Sequence, residues 1–372
     1  MYFRKIKGIN NEEATVWIKE DSHKFLKSNN YNYLFKYQDG NFFRWGINQD
    51  DDPDYSPFGP EIFDMEISTI CHGIGSPCKH CYKSNTPIGK NMSFETFKKI
   101  FHKLPITLTQ IAFGIGDIDS NPDMFKIFNY CVNNNYNVVI PNVTINGVGL
   151  TKEIACDFSK ILGAIAVSRY NNGDICYDAV QLLTDKKMKQ VNIHMLISKE
   201  TYEDCFKVIK DSKNDSRLKD LNAIVFLLLK PKGSRNNYNS VSFEEYRKLV
   251  EFAFENGTKI GFDSCGAPFF MKTIHNFEND VYKKYLNFAE CCESNLFSSY
   301  CNCEGIYYPC SFSENIKEWK GINLLNINNF LEEVWNNEIT KYFRNKLVNQ
   351  KHLIKTCRTC PVYPQIYHNE IF

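Results

Sequence analysis

From residue 61 onward, two apolar patterns alternate along the chain. Short apolar or alternating runs cover residues 61–68, 106–114, 136–144, 161–168, 190–198, 222–230 and 259–263. Each has the length and pattern of a buried strand. Between them, apolar residues recur three and four apart, as on one face of a helix. Phe94, Phe97, Ile100, Phe101 and Leu104 do so after Ser93; Met124, Ile127, Phe128, Cys131 and Val132 after Asn121-Pro122; and Tyr202, Cys205, Phe206 and Ile209 after the fifth run. Another helix opens near Thr151. The punctuation agrees: Pro105 follows the first helix, Ser242 and Glu245 form a capping box, and Asn256-Gly257 is a stop. Such alternation predicts a parallel sheet covered by helices. A closed eight-unit barrel takes about 250 residues, so the pattern predicts an open, α/β, six-unit partial barrel; a doubly wound sheet fits the same alternation.

Residues 1–60 break this rhythm. FLKSNNYNYLFKYQDGNFFRWGI holds two apolar runs on either side of Asp39-Gly40, which predicts a short β-hairpin preface. The acidic, proline-bearing NQDDDPDYSPFGP links it to the rest. A lid and a substrate-docking piece fit such a preface, and a structural cap on one end of the barrel is the expectation. The barrel is assigned residues 61–275, and a small cysteine-rich C-terminal piece residues 285–372.

The totals narrow the class. A chain of 372 residues suits one large domain and a smaller one. Net charge is +1, which argues against a nucleic-acid coat; only a basic stretch at residues 341–355 points the other way. MYFRKIKGINNEE has no apolar signal core, and no run reaches the roughly eighteen apolar residues of a membrane span. A cytoplasmic place is expected. Fifteen cysteines there point to metal or redox work rather than disulfides.

Three of those cysteines, Cys71, Cys78 and Cys81, fall in CHGIGSPCKHCY, on the loop between the first strand and the first helix. In a barrel of strand–helix units that loop opens on the catalytic face. Structural zinc takes four closed ligands; three thiolates suit an iron–sulfur cubane with one iron open. A zinc loop completed by His72 or His80 is the alternative. Gly73 and Gly75 let the wide first gap fold back. The stretch resembles the cluster loop of radical S-adenosylmethionine (SAM) enzymes, whose usual pattern is C-x3-C-x-aromatic-C. It departs from that pattern in its six-residue first gap and in His80, which stands where the aromatic lies.

The strand ends extend the resemblance. Gly114, Gly116 and Asp117 follow the second strand, where the family places a Gly-Gly-Glu that holds the methionyl amine of SAM. Asn146 closes a Thr-Ile-Asn-Gly turn after the third strand, and Ser168 and Arg169 end the fourth; the resemblance implies cofactor contacts for these. The bland readings are a tight turn for the glycines, a turn for Asn146 and an ion pair for Arg169. His194 alternates with apolar neighbours and is expected in the core, as are Cys131 and Cys205. Cys265, in Asp-Ser-Cys-Gly at the barrel's end, is a candidate catalytic residue facing the substrate.

The cysteines return after Ala289. Cys292 and Cys310 form C-x12-G-x4-C around Gly305, and Cys357 and Cys360 add a CxxC. The glycine permits a hairpin between Tyr300 and Pro309. This resembles the start of SPASM and Twitch extensions, and with one CxxC it is similar to the one-cluster Twitch type. Cys291, Cys301 and Cys303 compete for the same role, and a zinc ribbon fits the spacing too.

The resemblance implies a 4Fe–4S cluster on Cys71, Cys78 and Cys81 that binds S-adenosyl-L-methionine. It also implies one auxiliary 4Fe–4S cluster on Cys292, Cys310, Cys357 and Cys360, and a reductant such as flavodoxin or ferredoxin. The activity implied is hydrogen abstraction by a 5′-deoxyadenosyl radical, in an oxidoreductase or maturase acting on a peptide or protein. A small-molecule dehydrogenase and a non-catalytic metal-binding protein are the alternatives.

Overall fold

The structure, a computed structural model, describes residues 1–170, 173–286, 289–349 and 360–364. The preface is more than a hairpin. Strands β1 (Tyr2–Lys7), β2 (Glu13–Lys19), β3 (His23–Lys27), β4 (Asn32–Lys36) and β5 (Phe42–Trp45) form one antiparallel sheet in chain order. The predicted hairpin is its last pair, β4–β5, turned at Gly40 with φ +73°. β1 (YFRKIK) and β3 (HKFLK) mix charged residues among apolar ones, and β2 (EATVWIK) carries a run of only three large apolar residues, so none of them shows the longer apolar run that marks a strand.

Seven parallel strands follow: β6 (Ile62–Glu66), β7 (Gln110–Gly114), β8 (Ile140–Ile145), β9 (Ile165–Ser168), β10 (Val191–Ile197), β11 (Ala223–Leu228) and β12 (Ile260–Phe262). Helices α1 (Phe94–Phe101), α2 (Met124–Val132), α3 (Lys152–Ile161), α4 (Asp174–Asp185), α5 (Tyr202–Asn214) and α6 (Phe243–Glu255) cross between them. Their caps are those the sequence signals: Ser93 accepts from Thr96 N–H, and Ser242 and Glu245 form the capping box. Helices α7 (Ala267–Ile274) and α8 (Asn279–Leu286) come next. Each parallel strand pairs with its neighbours in sequence, from β6 to β12. A doubly wound sheet reverses its order at a switch point; this one does not. The sheet is open, with β12 at one edge.

Beyond β6 the sheet continues into the C-terminal piece. β13 (Ser298–Cys301) pairs parallel with β6, then β14 (Ile306–Tyr308) and β15 (Ile322–Asn323) pair antiparallel. The β13–β14 hairpin lies where Gly305 predicts it, with Tyr300 opposite Tyr308. Helix α9 (Glu338–Val348) closes the described chain before residue 350. Part of the basic stretch 341–355 lies outside the described residues; within α9, Lys341 pairs with Glu338 and Lys346 with Glu318. Among the described residues no helix is long and apolar enough to cross a membrane.

Alternate strand residues face two different environments. Phe63, Met65, Ile111, Phe113, Val143, Ile193, Met195 and Phe226 are buried against the helices. Facing the other way, Asp64, Gln110, Asn142, Thr144, Asn192 and His194 all stay at least partly open. Register lines them up: Asp64 beside Ala112 beside Asn142, and Ser168 beside His194. The inner wall of the sheet is therefore polar. His194 belongs to that wall rather than to the core, and burial lowers its proton affinity to about 4.

The five-stranded sheet covers the N-terminal ends of the parallel strands. Lys24 on β3 is fully buried and donates to the carbonyls of Ile106 (3.2 Å) and Leu108 and to the Asn137 side chain (2.7 Å), just before β7 and β8. Tyr33 donates to Thr107 O at 2.6 Å, and Arg44 pairs with Glu61 at 2.9 Å. The cap thus sits at the end opposite the cysteine loop.

Candidate active site

The loop carrying Cys71, Cys78 and Cys81 rises from the C-terminal end of β6. Backbone bonds hold its base: Thr69 N–H donates to Lys90 O and Cys71 N–H to Thr86 O, both at 2.9 Å. Gly73 and Gly75 take φ +69° and +76°, and a Cβ on Gly73 would lie 2.1 Å from Ser76 O, so the wide first gap folds back on itself there. The three thiols are half-buried on this one loop, Cys71 near enough to Cys78 and Cys78 near enough to Cys81 for each pair to interact. Burial pushes Cys71 up to about 11, with Asp117 and Cys78 adding to it; Cys78 is raised by burial and by Cys81. Tyr170 lies within reach of all three.

The segment after β7 props this loop. A Cβ on Gly116 would lie 1.6 Å from Ile70 O, so only glycine allows the approach. Asp117 N–H donates to that same carbonyl at 3.0 Å. The Asp117 carboxylate accepts from His72 N–H (2.8 Å) and from Asn146 (2.9 Å), and it lies 2.7 Å from the His72 ring. Burial opposes its charge, but these bonds outweigh burial and hold the carboxyl below its usual value. Gly116, Asp117 and Asn146 therefore meet around Cys71. Gly114 lies beside Glu66 with room for a Cβ.

Ser168 reaches the loop through Tyr170, whose hydroxyl it bonds. Arg169 does not. Its guanidinium is buried against Tyr177 (3.0 Å) and Asp204 (3.2 Å), on the helix side of the sheet. His80 stands between Tyr170 and Tyr238, with ring centroids 5.6 and 5.0 Å away. Its Nδ1 is buried without a hydrogen-bond partner. The aromatic surface absent from position 80 of the motif is thus supplied by tyrosines from two other loops, which a local motif does not reveal.

A second feature escaped the sequence reading. The turn after β11, Pro-Lys-Gly-Ser-Arg, lies across the cysteine loop. A Cβ on Gly233, at φ +108°, would come within 2.3 Å of Cys81 O. Arg235 donates to Ser84 O (3.2 Å) and Asn85 O (2.7 Å). Lys232 reaches the other way, to Ser311 O (2.8 Å), Phe312 O (3.1 Å) and Glu314 O (2.9 Å), just past Cys310. Lys83 adds a bridge to Glu314, to Tyr300 (2.5 Å) and to Glu66 (3.3 Å).

On the far side of this strap the second group assembles. Cys310 is raised by burial and then by Cys292, Cys360 and Cys265. Cys292, pushed up to about 11, is affected by burial first and then by Cys360. Cys291, which also acts on Cys292, lines a cavity of about 690 Å³ beside β12. Cys301 and Cys303 lie toward Glu66. Cys265 is enclosed near Lys230 and Asp263, and burial pushes it up to about 12. It is half-buried, near Cys292 and Cys310. Cys357 lies outside the described residues. Cys131 and Cys205 are fully buried, as expected of core residues.

Both groups suit an iron–sulfur cluster. Neighbouring buried thiols that raise one another's proton affinity need a positive group to hold them ionised, and around the first group the backbone allows only glycine at positions 73, 116 and 233. Among the described residues no three His, Cys, Asp or Glu side chains are set to share one metal ion, and His72 and His80 have the other surroundings given above.

No protein family and no curated protein sequence matches the chain. Solved structures do, and the class they define is the radical SAM fold. The structure of anSMEcpe with bound AdoMet and Cp18Cys peptide is 18% identical over 76% of this chain and 82% of that one, with a TM-score of 0.53. SuiB of Streptococcus suis, bound to S-adenosylmethionine, is 10% identical over 84% of this chain and 74% of that one, with a TM-score of 0.60. At these identities the likeness is one of fold.

Proposed function

We propose that the chain is a radical SAM enzyme that modifies a peptide or protein. The observation that carries the reading is the placement of Cys71, Cys78 and Cys81 on one loop at the C-terminal end of the first parallel strand, propped by Gly116 and Asp117 and flanked by Tyr170 and His80. When bound, a reduced 4Fe–4S cluster supplies the electron that splits S-adenosyl-L-methionine into methionine and a hydrogen-abstracting 5′-deoxyadenosyl radical.

The chain's own residues hold and shield. Cys71, Cys78 and Cys81 are the ligands of that cluster. Tyr170, Tyr238 and His80 supply flat surfaces beside it, and Ser168 and Asn146 supply hydrogen bonds at neighbouring strand ends. Cys292, Cys310, Cys357 and Cys360 hold an auxiliary cluster across the strap, in a Twitch-like extension. A small redox protein such as flavodoxin or ferredoxin serves as reductant. All cysteines among the described residues are free thiols, which suits work in a reducing cytoplasm. The peptide assignment leans on the compared structure that contains a bound peptide.

Iron and acid-labile sulfide per chain, after anaerobic reconstitution, test the reading. About eight irons are expected, falling to about four in the Cys71/Cys78/Cys81→Ala variant. Reductive cleavage of S-adenosyl-L-methionine should be lost with them. Zinc without sulfide would overturn the proposal.

A further inference from the structure

One charge on the inner wall is unanswered by the protein. Asp64 lies mid-strand in β6, on the face opposite buried Phe63 and Met65. Its side chain is open, yet protein surrounds it so fully that burial alone lifts its carboxyl to about 7. It stands on the inner face of the open sheet, in line with Ala112 and Asn142 and with the partly open polar residues Gln110 and Asn192, and so faces the channel that the sheet curves around. Among the described residues no hydrogen bond or ion pair reaches it.

The lysines at the strand ends and strap described above are committed elsewhere. Lys83 serves Glu66, Glu314 and Tyr300. Lys230 donates to Leu228 O (2.5 Å) and Asp263 (3.0 Å). Lys232 is spent on three carbonyls. Glu66, two residues along the same wall, has its lysine; Asp64 has none.

Tyr82 fixes where this wall lies. It follows Cys81, and burial first, then Glu66 and more weakly Asp64, raise the proton affinity of its hydroxyl, which Ser311 hydrogen-bonds. Its ring packs on Phe312 at 4.8 Å, next to Cys310 in sequence. Asp64 thus lies beneath the cysteine loop, near an aromatic pair that links the two cysteine groups. An enclosed carboxylate without a partner is costly; a cation entering the channel relieves that cost, and an apolar stem on the same ligand lies well against an aromatic pair.

We propose that Asp64 selects the substrate by receiving a positively charged group, an ammonium or guanidinium, carried on an apolar stem. This deepens the reading above and rests on the channel being the place where that substrate enters.

Calorimetric titration of the metal-free protein tests it, with agmatine as the cationic probe and n-butylurea as the neutral one. Wild type should bind agmatine and discriminate against n-butylurea. Asp64→Asn should weaken agmatine roughly tenfold, Asp64→Glu should keep most of the affinity, and exposed Asp185→Asn should change nothing. Asp64→Ser, with circular dichroism on every variant, guards against a folding artefact. Equal agmatine binding by wild type and Asp64→Asn, or none by wild type, overturns the proposal. No cluster or S-adenosyl-L-methionine is present in this titration. Its failure is therefore distinct from a failure to cleave S-adenosyl-L-methionine.

Discussion

The carboxyl of Asp64 also leaves a mark on stability. Burial raises its folded pKa from 3.8 to about 7, so between those values the folded state holds a proton that the unfolded state has released. Stability from this group is complete below about pH 4 and is lost as pH rises to 7. Asp64→Asn removes that loss. The variant should match wild type near pH 4 and exceed it at pH 8. The full shift corresponds to about 4 kcal/mol, but the side chain is open to channel water, so about 1–2 kcal/mol is the reasonable expectation. Glu61 and Glu293 are also raised by burial, to about 7 and about 8, but they titrate in both proteins and cancel in the difference. Paired urea melts at the two pH values measure it, and a variant no better at pH 8 than at pH 4 would sink the account. The residue was visible in EIFDMEIS as a charge inside an apolar run. Its role was not visible, because alternation shows that one face differs without showing that it lines a channel.

The parallel strands, their helices and the cysteine loop were legible because each is local: a run, a period, a cap, a spacing. The strap after β11 was not, because its meaning lies in two partners, Cys81 and the turn after Cys310, distant in sequence on either side. Glycine makes it testable. Gly233 has φ +108° and no room for a Cβ against Cys81 O. Gly149 has φ +75° with nothing within 4 Å. Gly149→Ala therefore measures backbone strain alone, about 1 kcal/mol. Gly233→Ala should cost about 2–3 kcal/mol and should also loosen the loop it presses on. Iodoacetamide should then label Cys78 and Cys81 of the metal-free protein several-fold faster, with Cys131 still protected. If Gly233→Ala and Gly149→Ala behave alike in both stability and labelling, the strap does not hold the loop.

At the scale of the molecule, one sheet end is closed by the cap and the other carries both cysteine groups. The sequence foretold a cap but only its last hairpin, since the charged residues in β1 and β3 and the short apolar run in β2 leave no run long enough to mark a strand. Lys24 shows why that reading falls short. It shares a face of β3 with Leu26, and both are fully buried. Burial lowers the lysine's proton affinity, and its three acceptors, from the segments leading into β7 and β8, are what make the position tolerable. Lys24→Met keeps the volume and removes all three bonds, stranding two carbonyls and an amide. A loss of about 3 kcal/mol follows. If the cap and the parallel sheet fold as one unit, the whole thermal transition should move down by several degrees and stay single. A melt that splits, with the cap leaving first and the larger transition unmoved, would mean that the cap rides on the sheet without supporting it. The channel floor would then owe nothing to the first 60 residues.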